Sequence, residues 1–165
     1  MSFNDKITIV IVIYNSSSLI FKCLSQLYNF NIIIVDNSNN KEIIKKLKNY
    51  KNISIISKNK NLGFGNAINF AIDYIKTELF LVLNPDIIIS EKDIFKIFQT
   101  INRFQNCAIA APMNIPDNDS YGIFPEKRNL YEKNKSLIAH KVTNIPQSEI
   151  CVDVTKGCAL LINTK

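Results

Sequence analysis

The 165 residues and 18.8 kDa of this chain suffice for one domain with a sizeable core and fall short of two ordinary ones. Hydrophobic residues make up 47% and charged residues 21%, globular proportions that argue against disorder. The net charge of +6 is uneven, because residues 41–60 hold seven lysines (Lys41, Lys45, Lys46, Lys48, Lys51, Lys58, Lys60) against Glu42 alone and so carry the whole excess.

That basic segment has two readings: a solvated helix face and loop, or a patch facing anionic lipid or a phosphate-bearing acceptor. Nucleic acid is disfavoured as a partner, since no stacking aromatics or known motif accompany the lysines. The four cysteines are scattered, with no C-x-x-C pair and a single His in the chain, which argues against a structural zinc site. Cys23 and Cys107 sit in apolar runs and read as buried thiols of a reducing compartment. No apolar stretch reaches the roughly 18 residues that span a bilayer, and Ile7–Ile13 is too short for a signal peptide. The expectation is a cytoplasmic protein, free or peripheral on the inner face of a membrane.

Ile7–Ile13 is continuous, β-branched and apolar, the pattern of a strand buried on both faces. A serine N-cap and the stripe Leu19, Ile20, Cys23, Leu24, Leu27 predict a first helix. Ile32–Val35 is the second predicted strand, and Ile43, Ile44, Leu47 and Tyr50 mark a short helix. Ile53–Ile56 is the third strand, followed by a helical stripe of Ala67, Ile68, Ala71, Ile72 and Ile75. Leu79–Leu83 is the fourth. Ser90-Glu91-Lys92-Asp93 has the form of a capping box opening a helix with Ile94, Ile97, Phe98 and Ile101 inward. Cys107–Ala111 makes a fifth strand, ended by Pro112. Strands and helices alternating at this spacing predict an α/β fold, an open and mostly parallel sheet with helices on both faces.

The periodicity then fails, and residues 112–149 read as a long loop region. Ile150–Val154 and Ala159–Ile162 read as two last strands flanking Lys156-Gly157. The division expected from the pattern is a single domain, 1–165, with an α/β core over 1–111, the loop over 112–149, and the last strands over 150–165.

Ligands of open α/β sheets bind outside the carboxyl ends of the strands. Polar residues follow four strands in succession: Tyr14-Asn15, Asp36-Asn37-Ser38, the run Asn59, Asn61, Gly63, Phe64, Gly65, and Asn84-Pro85-Asp86. Gly63-x-Gly65 is not a dinucleotide fingerprint, since Ile68 stands at the third glycine position and the motif follows the third strand. A P-loop is absent from the sequence. With no Lys or Arg read at the strand ends, a bound diphosphate calls for a metal, and Asp86 is the hard-oxygen ligand for Mg²⁺ or Mn²⁺.

Val12-Ile13-Tyr14-Asn15, Ile34-Val35-Asp36-Asn37-Ser38, the run Asn61–Asn69 and Leu83-Asn84-Pro85-Asp86 resemble, in order and spacing, the family 2 glycosyltransferases. They look closest to its rhamnosyltransferase-like branch, where Asn-Pro-Asp replaces the usual Asp-x-Asp. Val152–Ile162 is similar to the strand which that family places before its acceptor region. The resemblance implies a GT-A (Rossmann-like) nucleotide-diphospho-sugar transferase fold. It also implies transfer, with inversion, from a nucleotide-diphosphate sugar to a saccharide or lipid-linked acceptor in surface polysaccharide synthesis. Tyr14, Asn15, Asp36, Asn37, Asn61, Gly63, Asn84 and Asp86 would bind the donor, Asp36 through the base and Asp86 through the metal. Asn39-Asn40 stands where family members often continue with another Asp. The family's catalytic base lies beyond the Gly-Cys-Ala strand, and none of Asp117, Asp119, His140 or Glu149 matches it, so no base is assigned. A non-catalytic nucleotide-sugar-binding module is the first alternative. A sugar nucleotidyltransferase is the second, but the Gly-rich, Arg/Lys-bearing loop of that class has no counterpart in Tyr14-Asn15-Ser16-Ser17.

Overall fold

The computed structural model describes residues 2–16, 19–112, 121–122, 149, 151, 154–155 and 157–164. Two compact units are formed, Met1–Ala110 with Gly157–Lys165, and Ala111–Lys156.

The first unit is a six-stranded sheet of β1 (Ile7–Ile13), β2 (Asn31–Asp36), β3 (Ile53–Ile56), β4 (Leu79–Leu83), β5 (Ile109–Ala110) and β8 (Ala159–Asn163), in the order β3-β2-β1-β4-β8-β5. β3, β2, β1 and β4 run parallel, and β8 is antiparallel to both β4 and β5. All seven residues of β1, apolar but for Thr8, and all five of β4 are buried, as expected for strands in the middle of a covered sheet.

Four helices cover the sheet: α1 (Leu19–Leu24), α2 (Lys41–Leu47), α3 (Phe64–Ile72) and α4 (Glu91–Arg103). Right-handed crossovers carry the chain from β1 to β2 to β3 in one direction, so α1 and α2 share a face; β4 lies on the far side of β1, so α3 must cover the other. The core divides accordingly. Ile9, Ile11 and Ile13 of β1 pack with Ile20, Cys23 and Leu24 of α1, Ile43 and Leu47 of α2, and Ile94, Ile97 and Ile101 of α4. On the second face Val10 and Val12 meet Ala67 and Ala71 of α3, whose small side chains let that helix lie close. Glu91, at the start of α4, accepts hydrogen bonds from Asn4 and Asn29, which precede β1 and β2. Segment 84–90 therefore recrosses the first face to reach the amino edge.

Several expectations change at element ends. Leu19 and Ile72 are exposed rather than inward, and α3 stops at Ile72, before Ile75. The fifth strand contracts to Ile109–Ala110, because only those residues register against β8, at Ile162 and Leu161. Cys107 caps a turn on Phe104 and is half-buried. At Ser90 only half of the capping box forms: its hydroxyl accepts from the Asp93 amide, while the Asp93 carboxylate binds the hydroxyl instead of the Ser90 backbone. That hydrogen bond is the main cause holding the Asp93 carboxyl below the usual range. The serine cap of α1 lies outside the described residues, as does most of the 112–149 loop.

The second unit contains a two-stranded antiparallel sheet, β6 (Tyr121–Gly122) with β7 (Val154–Thr155). Of the strand expected over Ile150–Val154, residues 150, 152 and 153 lie outside the described residues, Cys151 is in no strand, and Val154 opens β7, whose partner comes from the stretch read as loop.

Candidate functional site

In this topology β1 is a switch point, with β2 on one side and β4 on the other, and the crevice of an open α/β sheet opens at the carboxyl ends beside such a strand. Register aligns those ends. Ile13 pairs with Asp36, Ile11 with Leu83, Val35 with Ile56, and Leu83 with Ala159 at the start of β8. Tyr14, Asn15, Asp36, Asn37, Asn84 and Asp86 therefore follow β1, β2 and β4 at one edge, with Asn61 and Gly63 in the loop after β3. Asp36, which ends β2, and Asn84, just past the end of β4, lie on either side of β1, about 10 Å apart at the usual strand spacing.

The backbone at this edge is unusual in a consistent way. Among the described residues, positive φ occurs at Asn15 (53°), Asn39 (53°), Asn59 (56°) and Gly63 (72°), all in loops after β1, β2 and β3. Asn is the side-chain-bearing residue that best tolerates this region, so the chain's Asn-rich turns have a local physical reason.

Asp36 is only 3% exposed, and its Oδ1 accepts from both the amide and the hydroxyl of Ser38. Among the described residues no hydrogen bond falls on Oδ2. Asn37, 6% exposed, turns its amide toward the next loop, donating to the Gly63 carbonyl at 3.2 Å and accepting from the Leu62 amide at 3.3 Å. These two contacts clamp the loop that opens α3. Asn61 accepts from the Gly63 amide at 2.8 Å, closing a turn within the same loop.

Two groups of residues escaped the sequence reading. Ser57, directly after β3, donates to the Asp36 carbonyl and accepts from the Asn59 amide, joining the loops after β2 and β3. Its hydroxyl is the polar residue next past a strand, so the strand-end test could have found it. Lys58 and Lys60 correct the statement that the strand ends lack cations. Both are exposed in the loop after β3, with the Lys58 ammonium 4.6 Å above the Phe70 ring.

The turn after β4 is held from two sides. The Asn84 amide donates to the Cys158 carbonyl at 2.9 Å, and the Cys23 thiol of α1 lies 3.9 Å from the Asn84 carbonyl. Burial, and secondarily the negative charge of Asp86, push the Cys23 thiol up to about 12. Asp86 itself is exposed, and its carboxylate takes no hydrogen bond and no ion pair among the described residues. It does not cap the turn before Ile87. Among the described residues no three His, Cys, Asp or Glu side chains cluster to hold a metal unaided. One unengaged carboxylate suits instead a Mg²⁺ or Mn²⁺ ion that draws its other ligands from substrate phosphates and water.

Known proteins match this chain in sequence and in fold. The family model described as Glycosyl transferase family 2 matches residues 8–162. A low-salt glycan biosynthesis hexosyltransferase of Haloferax volcanii is 32% identical over 126 residues, covering 70% of this chain and 40% of that protein. A teichoic acid poly(glycerol phosphate) polymerase of Staphylococcus epidermidis is 32% identical over 92 residues, covering 50% of this chain and 13% of that protein. The chain thus spans well under half the length of these relatives. Among solved structures, a Pyrobaculum calidifontis mannosyltransferase in complex with GDP-Man and Mn²⁺ matches with a TM-score of 0.66 and 10% identity over 98% of this chain and 45% of its own. Residues 1–349 of TarS from S. aureus, in complex with UDP-GlcNAc, match with a TM-score of 0.55 and 20% identity over 70% of this chain and 38% of their own. At such identities these two likenesses establish the GT-A fold.

Proposed function

We propose, from the premise that this chain belongs to glycosyl transferase family 2, that its first unit binds the nucleotide-diphosphate sugar of a sugar-transferring enzyme. The observation that carries this is the convergence of polar turns beside the switch strand, ending in a carboxylate that the described residues leave unengaged. The base would lie on the β2 side, where Asp36 stands beside Tyr14-Asn15, and the diphosphate would extend across β1 toward Asn84-Asp86. Asn37 and Ser57 would act by positioning, holding the intervening loop with Asn61 and Gly63. Asp86 would hold a divalent cation, which when bound offsets charge on the leaving diphosphate. Lys58 and Lys60 add positive charge at the same edge.

In the transfer itself, an acceptor hydroxyl oxygen forms a bond to the anomeric carbon as the bond to the diphosphate oxygen breaks, which inverts that centre. The hydroxyl proton passes to a base that the residues described leave unassigned. A saccharide or lipid-linked acceptor in surface polysaccharide synthesis fits this reading, supported by the glycan and teichoic acid relatives. A cytoplasmic setting agrees with four free thiols. Calorimetric titration with UDP-, GDP- and dTDP-sugars, each with and without Mn²⁺, tests the proposal. It calls for at least one donor whose binding depends on Mn²⁺; absence of binding across the panel would overturn it.

A further inference from the structure

The basic segment of the chain has a defined place in the fold. α2 turns Ile43 and Leu47 into the core, while Lys41, Lys45, Lys46, Lys48 and Lys51 of the helix and the turn after it are all exposed. Glu42 is the only acid among residues 41–60, and it is already paired with Lys46 at 2.8 Å. Next to these lysines is an open hollow of about 580 Å³ lined by Phe21, Lys46, Asn49 and Tyr50. Two of its four lining residues are aromatic, and Tyr50 is 39% exposed.

We propose that this face docks on an anionic lipid bilayer, with the lysines against headgroup phosphates and Tyr50 and Phe21 at headgroup level. Three features favour a bilayer over a soluble polyanion. The cations in residues 41–60 are all lysines, compact charges on flexible stems that reach a diffuse negative surface without bidentate geometry. Aromatic rings beside the charges match the amphipathic belt of a membrane interface. The charges are spread over a helix and its flanking turn, whereas the hollow beside them receives only Lys46. Because Ile43 and Leu47 are committed to the core, the helix cannot insert, so binding is electrostatic, reversible and weakened by salt. This rests on no part of the donor-site reading.

The test is co-sedimentation of the whole chain with vesicles of phosphatidylglycerol and phosphatidylcholine, and with phosphatidylcholine alone, at low and high salt. Binding is expected to the anionic vesicles only, and to fall as salt rises. Each lysine removed should lower the partition coefficient roughly fivefold, so Lys45→Gln, Lys48→Gln and Lys51→Gln together should lower it about a hundredfold. Lys76→Gln with Lys92→Gln, exposed cations outside the patch, should change it only a few-fold. Circular dichroism of each variant checks that the fold is intact. The proposal is overturned if anionic vesicles are not preferred, or if the control pair weakens binding as much as two of the patch lysines do. It is equally overturned if the chain binds soluble polyphosphate but no vesicle, which would assign the face to a polymer.

Discussion

Replacing Asp86 by alanine separates ligation from architecture. Its carboxylate is exposed and accepts no hydrogen bond among the described residues, so the folded chain loses nothing that the structure shows. Surface changes of that kind stay within about 0.5 kcal/mol. For a chain of this size that corresponds to a melting-temperature shift under about 2 °C. If Asp86 instead capped the turn before Ile87, the loss would be about 0.5–2 kcal/mol, or as much as about 8 °C. The effect on binding is of another order. Removing an outer partner of a metal ligand already costs about 10–100-fold in affinity. Loss of the ligand itself should therefore exceed about a hundredfold, near 3 kcal/mol. Calorimetric titration of wild type and Asp86→Ala with a nucleotide diphosphate, each with and without Mn²⁺, reads both effects when paired with a thermal melt. The expected result is an unchanged apo melt with Mn²⁺-dependent affinity gone. Equal affinity of the two proteins in Mn²⁺ would refute the metal assignment, and a large drop in the apo melt would show a structural role that the contacts do not reveal.

Asn37→Ala should behave in the opposite manner, because it removes two part-buried hydrogen bonds to the loop opening α3. At about 1 kcal/mol each, the melt should fall by about 4–8 °C, with donor affinity weakened as the loop loosens. Gly63→Ala meets no atom within 4 Å, yet φ +72° and ψ 173° is backbone that only glycine adopts freely, so chemical denaturation should report a loss of about 1–3 kcal/mol. Cys23, raised from 9.0 to about 12, should be alkylated in the native chain about a thousandfold more slowly than an ordinary thiol, by mass-resolved labelling at mildly alkaline pH. The same shift has a defined sign in stability: below pH 9.0 the thiol is protonated in both states, and from there to about 12 only the unfolded thiol ionises. The alkaline loss of stability over that window should be smaller in Cys23→Ala, measured against its own neutral-pH value.

Much of the first unit is legible along the chain because its signals are local. The β-branched run Ile7–Ile13, apolar but for Thr8, reads as a strand covered on both faces, and residues such as Asp36, Asn37 and Asn84 announce the edge by following such runs. Where the reading went wrong, the deciding interaction was not local. Ile150–Val154 and Cys107–Ala111 have strand-forming composition, yet how far each one pairs depends on which partner reaches it. The contacts of Asn37 with Leu62 and Gly63 left no local signal either, since an amide after a strand looks the same whatever it meets.

The family, the alternation of strands and helices, and the carboxyl-edge residues were determined by the sequence alone, through apolar periodicity and ordered motifs that act over a few residues. The tertiary structure decided the rest. It inserted the chain's last strand antiparallel between β4 and β5, set Cys23 beneath the Asn84 turn, tied Ser57 to the Asp36 carbonyl, and brought Lys58 and Lys60 to the same edge as Asp86. Each of these joins residues distant in sequence, and such pairings depend on packing and register across the whole sheet, which leave no signature in a short window of residues.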